Sequence, residues 1–280
     1  MAVVTPGPLL TAHLFPALDA HLIDLLRSLT SDDWERQTIA PRWKIKDVAA
    51  HLLDTQLRRL SFGRDGYTVA PPSPITSDRD LVAFIDRLNA EGVTVYRRLS
   101  PPVLIAWMER SSGEAASYFA SLDPFAPARI GVSWAGEAVS PNWFDIAREL
   151  TERWHHQQQI RLAVGRPGIM TPDLYHPVLE CFMRALPFAY RDQTAEPGSL
   201  ARVNVSGDCG GSWYLYRDAD RWRLIQSPAG RQLSETTIPQ EIAWLIFTKG
   251  IRRAAAEPQV LVTGDADLGL HVLDMISIVG

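Results

Sequence analysis

The segment ELTERWHHQQQIR at residues 149–161 concentrates side chains that could bind a metal ion, including two acids and two adjacent histidines. If the segment is helical, Glu152 and His156 lie one turn apart, offset by about 40° and about 6 Å in rise. This spacing allows both side chains to bind the same ion, as the paired ligands of helical metal motifs do. One helix cannot complete such a site, so a third ligand must come from another helix. His51, in the segment DVAAHLLD, is the candidate.

The same residues are also compatible with two solvent-exposed helix faces. Glu152 and His156 share their side of the helix with further acids, and His51 shares its side with other polar residues. A solvated helix face has the same pattern as the wall of a polar cleft. His155, three residues after Glu152, is a rival ligand. The pattern alone leaves these interpretations open. The remaining histidines have no partner pattern, which favours surface or core packing for each: His13, His21, His176 and His271.

Other catalytic motifs are absent from the sequence. It contains no GxSxG segment, no phosphate-binding loop of the Walker type and no GxGxxG segment after a strand. Cys181 and Cys209 have no local histidine partner pattern and form no CxxC pair. A cysteine nucleophile and a disulfide framework are therefore both disfavoured.

The composition is that of a globular protein, with 46% hydrophobic and 21% charged residues. The net charge of −4 gives no electrostatic reason to expect nucleic acid as a partner. No apolar run of about 18 residues occurs, so we expect no membrane span. The first basic residue is Arg27, which disfavours a secretory signal and, with the two isolated cysteines, favours the cytoplasm. The oligomeric state stays open.

Apolar residues recur at helical spacing through most of the first 190 residues. Pro16 lies early in the first helical pattern and requires either a kink or a late start. Ser77 or Asp78 can cap the third helix. The predicted helices cover residues 8–29, 45–64, 80–99, 103–122, 141–165 and 172–189.

The periodicity changes to two residues near Ala201, where ARVNVSG, SWYLYR and RWRLIQ alternate like strands. Thr237 and Gln240 resemble a capping box that opens a helix. A strand, QVLVTGD, and a final helix over residues 268–279 follow. The sequence thus predicts a mainly α protein with an up-and-down four-helix core, followed by a small α+β domain. The predicted domains are residues 1–192 and 200–280.

Two segments resemble the DinB-like superfamily. DDWERQTIAPRWKIKDVAAHLLD is similar to its opening motif, P-x-W-[ST]-[IV]-x-[DE], which leads into a helix with a metal-binding histidine. ERWHHQQQIRLAVGRP is similar to its closing motif, H-x-x-H-H-R-G-Q-I, with Gly and Pro after it. This alignment puts His51 on the first ligand and His156 on the last, with Glu152 where many members have histidine. A glutamate there is typical of the mycothiol-dependent maleylpyruvate isomerase branch.

The C-terminal part resembles the same branch. IPQEIAWLIFTKG and VLVTGDADLGLHVLDMISIVG are similar to its small α+β domain, which resembles sterol-carrier proteins. Two departures concern the first domain. Lys44 replaces the usual Ser or Thr, which predicts a weaker helix cap, and QQ replaces RG after His156.

The resemblance implies a divalent metal, with Zn²⁺ as the expected ion, held by His51, Glu152 and His156. Two imidazoles and one carboxylate leave zinc an open position, which is typical of catalytic sites. The resemblance also implies a low-molecular-weight thiol, mycothiol or an equivalent, as cosubstrate, and a small electrophile that is isomerised or receives the thiol. Three alternatives remain: a hydrolase that uses metal-bound hydroxide, a non-catalytic protein that binds a metal or an apolar ligand, and a degenerate relative that binds nothing.

An anionic electrophile would need a cation near the open metal position. The predicted hairpin offers Arg217, Arg221 and Arg223, and the helix of His51 offers Arg58. We favour a hairpin arginine as a catalytic candidate, because arginine binds carboxylates in a bidentate manner. The alternative is that the hairpin arginines only keep a strand edge soluble.

Overall fold

The chain is described by a computed structural model, which covers residues 3–71 and 73–278. Its contacts group these residues into two compact units. The bundle unit comprises residues 10–131 and 139–169, and the sheet unit comprises residues 3–9, 132–138 and 170–278. The division into domains at residues 1–192 and 200–280 stays a prediction. Within the described residues, no helix is both long and apolar enough to cross a membrane.

The bundle unit is helical, as predicted. Its helices are α1 (Phe15–Arg27), α2 (Ser31–Trp34), α3 (Ile45–Arg59), α4 (Asp78–Tyr96), α5 (Pro101–Ser121) and α6 (Asn142–Val164). The core consists of α1, α3, α5 and α6, each packed against two of the others, and α4 covers α3. The first helix begins at Phe15 rather than at residue 8, because Pro16 is tolerated only in the first turn, where its missing N–H is not needed. Ser77 caps α4 by accepting a hydrogen bond from the Asp80 backbone N–H.

Side-chain contacts give the helix directions. Gln56 of α3 bonds to Ser111 and Ser112 of α5, and Gly63 lies against Tyr118 further along, so α3 and α5 run in the same direction. Helices α1 and α5 run in opposite directions, because Arg27 pairs with Glu109 and Phe15 packs on Phe119. Helix α4 runs opposite to both α3 and α5, since Arg97 pairs with Asp47 and Asn89 with Arg58. Successive helices therefore alternate in direction when α4 is included, and the four core helices run up, down, down and up in chain order.

The cap of α3 lacks one of its two usual hydrogen bonds. The Asp47 carboxylate accepts a hydrogen bond of 3.0 Å from the Lys44 backbone N–H. The Lys44 side chain has no acceptor with which to return a bond to the first turn. It instead donates to the exposed Glu35 carboxylate.

Lys44→Ser is expected to raise the free energy of unfolding by about 1 kcal/mol, because the serine hydroxyl can complete the capping box. The lost Lys44–Glu35 pair is exposed on both sides, and such pairs contribute only about 0 to 1 kcal/mol. Urea unfolding measures the change. Lys46→Ser is the matched control and should lower the stability slightly, since serine is the weaker helix former. An unchanged or lower midpoint for Lys44→Ser would contradict the prediction.

A network of buried charges crosses the bundle core. Six side chains form it, five of them buried and Arg148 partly exposed: Asp19, Arg59, Asp145, Arg148, Glu149 and Arg153. Arg153 donates to Asp19 at 2.6 Å and lies 3.8 Å from Glu149, and Asp145 accepts from Arg59 and from Arg148. The three arginines and three carboxylates balance, which is how a folded chain can bury ionised groups.

The sheet unit contains α7 (Pro172–Met183), α8 (Leu186–Ala189), β1 (Ser199–Ser206), β2 (Gly211–Arg217), β3 (Trp222–Ile225), β4 (Arg231–Pro239), α9 (Gln240–Phe247), α10 (Arg253–Ala256), β5 (Leu261–Gly264) and α11 (Ala266–Leu270). The strand order is β3-β2-β1-β4-β5. Strands β1 and β4 are parallel and the other neighbours are antiparallel. The small α+β part predicted after the bundle is therefore confirmed, including the β2–β3 hairpin.

Two predictions about this unit were wrong. Thr237 does not open a helix: it lies in β4, paired with Asn204 of β1, and α9 begins three residues later at Gln240. The helix predicted over residues 268–279 is replaced by α11 and a short 3-10 turn, His271–Asp274, and residues 275–278 are not helical. Residue 279, the last of that predicted helix, lies outside the described residues.

Candidate metal centre

Helices α3 and α6 bring His51, Glu152 and His156 together. One ligand atom from each side chain lies within 4.8 Å of those of the other two, and no other such group of three occurs among the described residues. The two helices are antiparallel, since His51 meets the middle of α6 while Arg59, later in α3, pairs with Asp145, early in α6. The spacing that suggested a shared site in the sequence is thus present in three dimensions. The role of the three side chains as metal ligands stays a prediction.

The group lies at the protein interior and not on a wet surface. His51 is 3% exposed and His156 is 7% exposed, while the Glu152 side chain is partly open to solvent. The rings of His51 and His156 meet nearly edge to face, with centroids 4.6 Å apart. The Trp43 indole covers both rings, at 4.6 Å from His51 and 5.8 Å from His156. The alternative of two solvated helix faces therefore does not describe these residues.

Hydrogen bonds select the tautomer of His156. Its Nδ1 lies 3.0 Å from the Gln159 side-chain oxygen, which can only accept, so Nδ1–H donates. Its Nε2 then carries the free lone pair and lies 3.6 Å from a Glu152 carboxylate oxygen. A hydrogen bond on the far ring nitrogen is the usual way in which proteins orient a histidine ligand. The contact with Gln159, one turn after His156, is not among the interactions predicted from the sequence.

The rival ligand, His155, makes a hydrogen bond to the backbone of its own helix. Its Nδ1 donates to the backbone oxygen of Thr151 at 2.9 Å, and its ring packs on His156 with centroids 4.0 Å apart. Burial and the adjacent His156 lower the pKa of His155 to about 4. His155 is therefore neutral at pH 7 and supports the His156 ring rather than joining the group of three.

The local electrostatics favour one ionised carboxylate beside a neutral imidazole. Burial, followed by the neighbouring His156, lowers the pKa of His51 well below its usual value. Burial alone would raise the pKa of Glu152. The contact with His156, the positive charge that His155 and His156 carry at low pH, and Arg148 outweigh this effect and lower the pKa of Glu152 to about 2. A carboxylate and a neutral histidine are the protonation states that metal binding requires.

One polar atom of the group has no protein partner. The Nδ1 of His51 is buried, and no described residue makes a hydrogen bond to it. A buried polar atom without a partner costs about 1–3 kcal/mol, which binding of an ion or a water can offset. Two imidazoles and one carboxylate are also a donor set that suits a divalent cation such as Zn²⁺. The residues therefore fit a metal.

The arginine candidates have different environments. Arg223 pairs with Asp218 across the β2–β3 hairpin at 2.7 Å, Arg217 is partly buried, and Arg221 is exposed. All three belong to the sheet unit, and their catalytic role stays a prediction. Arg58 donates to Asp54 and to Asn89 at 2.7 and 2.6 Å, so its guanidinium holds α3 and α4 together.

The fold and the site define a mainly α protein. Its helical bundle contains a candidate metal centre, and a small mixed sheet follows the bundle in the sequence. The sequence profile of the mycothiol maleylpyruvate isomerase N-terminal domain matches residues 15–161, just over half of the 280 residues. The chain belongs to this family. No curated protein sequence matches the chain.

Two solved structures resemble the chain. A crystal structure of a histidine-to-alanine variant of the mycothiol-dependent maleylpyruvate isomerase gives a TM-score of 0.52 at 12% identity, covering 91% of this chain and 92% of that one. A second crystal structure of the mycothiol-dependent maleylpyruvate isomerase gives a TM-score of 0.48 at 12% identity, covering 84% and 86%. The first of these similarities shows a common fold.

Proposed function

We propose that this chain is a metal-dependent enzyme that activates a low-molecular-weight thiol for isomerisation of, or transfer to, a small electrophile. The observation that supports this most is the convergence of His51, Glu152 and His156 in a member of this family. Mycothiol is the proposed thiol and maleylpyruvate the proposed electrophile, because the family and the similar solved structure carry these names.

The residues would act in distinct ways. A divalent metal held by His51, Glu152 and His156 would lower the pKa of a thiol bound to it and so supply a nucleophile near neutral pH. Glu152 contributes the negative charge that retains the cation, and Gln159 keeps the lone pair of His156 Nε2 available. Trp43 shields both imidazoles from water, which strengthens electrostatic interactions in the site.

The proposed reaction begins with addition of the thiol to a double bond, a step that elimination of the thiol can reverse. The thiol sulfur bonds to one carbon of a cis double bond, and the electron pair of the double bond moves into the conjugated carbonyl group. Rotation about the resulting single bond and elimination of the same thiol give the trans isomer. In a transfer reaction the adduct instead takes up a proton and is released with the sulfur attached. The thiol is regenerated in the first case and consumed in the second.

Zinc content and thiol-dependent turnover of the purified chain test this function together. We expect bound zinc, loss of maleylpyruvate only when mycothiol is present, loss of activity on chelation and recovery on adding zinc. His51→Ala should lose both zinc and turnover, whereas His13→Ala, at an exposed histidine outside the site, should keep both. Turnover without any thiol would instead identify a hydrolase. Unfolding on chelation in a protein that never turns over would identify a structural metal.

Gln159→Leu is expected to weaken zinc binding by about 10- to 100-fold, the usual effect of removing a hydrogen bond that orients a ligand. Competition with a chromophoric zinc chelator measures the affinity. Gln159→Glu should restore it, since a carboxylate also accepts from Nδ1–H. Gln158→Leu is the matched control, because the Gln158 side-chain oxygen has no hydrogen-bond partner among the described residues. Equal affinities for Gln159→Leu and Gln158→Leu would refute the orienting role.

A further inference from the structure

A polar cavity lies in the bundle unit, away from the three candidate metal ligands. It is a cleft of about 300 Å³. Six polar residues line it: Arg59, Arg64, Tyr118, Arg129, Asn142 and Asp145. Arg59 follows His51 by eight residues, which is about 12 Å along a helix. Asp145 precedes Glu152 by seven residues, or about 10 Å. The cleft is therefore distinct from the candidate metal centre.

The backbone is irregular at this cleft. After Arg59, α3 continues into a single π-helical turn, Leu60–Arg64. Such turns occur frequently at functional sites, because the extra residue changes the direction of the following side chains. Gly63 in this turn lies against Tyr118, and a Cβ added there would come within 2.8 Å of the phenol oxygen. The glycine thus allows the Tyr118 hydroxyl to form part of the cleft wall.

The residues that line the cleft include three arginines and one carboxylate, Asp145. Arg59 is 7% exposed, donates to Asp145 and packs over the Phe119 ring at 5.6 Å. Asp145 also accepts from Arg148 at 2.8 Å, so two guanidinium groups share one carboxylate. The Nε of Arg59 is buried and has no hydrogen-bond partner among the described residues. A buried donor on a cation is costly unless an acceptor reaches it.

The rim supplies a second available cation. Arg64 is already paired with Asp65 and Glu114, at 2.7 and 3.0 Å. Arg129 is exposed, lies 6.0 Å from the Phe62 ring and makes no ion pair with any residue in the described part of the chain. Arg59 and Arg129 both line the cleft, so a ligand bound there would contact both side chains.

We propose that this cleft binds a small carboxylate-bearing anion between Arg59 and Arg129, with the Tyr118 hydroxyl as a further donor. A carboxylate matches the planar donor pattern of arginine. It would also give an ion-pair partner to Arg129, which has none within the described residues. The site requires no metal and does not rest on the proposed enzyme activity.

Calorimetric titration of the full chain with succinate tests the proposal. We expect binding that weakens as ionic strength rises, because the contact is between charges. Arg129→Ala should weaken the affinity about fivefold, and Arg59→Lys about tenfold, since lysine keeps the charge but not the planar donor pattern. Lysine can still pair with Asp145, so this variant is expected to fold, which a urea midpoint checks. Arg42→Ala, at an exposed arginine outside the cleft, is the matched control and should bind normally.

Three further results would overturn the assignment. Succinate binding that disappears in His51→Ala would mean that the anion binds at the metal centre. Equal affinities for Arg129→Ala, Arg59→Lys and the unchanged chain would exclude the cleft. Binding of inorganic phosphate with no binding of succinate would replace the carboxylate by a different class of anion.

Discussion

Glu152→Gln is expected to lower the affinity of the chain for zinc by more than about 100-fold, because loss of a ligand should exceed the effect of losing an outer hydrogen bond. The substitution preserves the size of the side chain and removes the only negative charge in the group of three. The pKa of Glu152 is lowered to about 2, so the charge is present throughout the neutral range. The chelator competition assay measures the change.

The matched control for this change is Glu91→Gln, at an exposed glutamate of α4. It should bind zinc as tightly as the unchanged chain. If Glu152→Gln also retained full affinity, the carboxylate would not be a ligand, and the donor set would have to be redrawn around the two histidines.

Arg153→Met is expected to destabilise the bundle by about 3–5 kcal/mol, because it leaves buried carboxylates without their partner. Arg153 is 2% exposed, bonds to Asp19 at 2.6 Å and packs over the rings of Phe15 and Phe119. Methionine retains part of the packing, so most of the loss is electrostatic. Urea unfolding followed by circular dichroism gives the free energy.

The pH dependence of that loss has a definite sign. Burial raises the pKa of Asp19 even though Arg153 lowers it, and removing Arg153 should raise it further. A carboxyl group with a raised pKa in the folded state binds more protons when folded, so stability falls as pH rises through that pKa. The cost of Arg153→Met should therefore shrink as the pH is lowered toward the unfolded value of about 3.9.

The double variant Arg153→Met with Asp19→Leu provides the control, because it removes both charges of the pair. It should recover a large part of the lost stability, as replacement of buried ion pairs by apolar groups often does. A double variant no more stable than the single one would contradict the electrostatic explanation and attribute the loss to packing.

The sequence contains enough information to find the candidate ligands, but not to decide their burial. Glu152 and His156 are separated by one helical turn, and this local spacing can be found from the sequence alone. Their environment depends on Trp43 and His51, which come from a distant part of the chain. A polar helix face is normally solvated, and on α6 it is buried because arginines balance its acids.

Secondary structure was predictable where its pattern was local. The alternation in β1, β2 and β3 identified those strands, whereas β4 buries Ser234 and Thr236, which do not look like core residues in a sequence. Its position is determined by pairing with β1, at a separation that local patterns do not reveal. The sequence predicted helix α7 but did not place it in the sheet unit. In that unit the Tyr175 hydroxyl donates a hydrogen bond to the Gln240 backbone oxygen and accepts one from the Trp244 backbone N–H.

The parallel pairing of β1 with β4 has a consequence for how the sheet unit forms. Leu200 of β1 pairs with Gln232 of β4, so this contact closes a loop that contains the whole β2–β3 hairpin. Local hairpins form in about 1–10 μs, whereas a contact that closes a longer loop costs more chain entropy and forms more slowly. The antiparallel β1–β2–β3 segment can therefore assemble early. During synthesis on the ribosome, β1 would have an unpaired edge until β4 emerges, and this interval is when the unit is most exposed to aggregation.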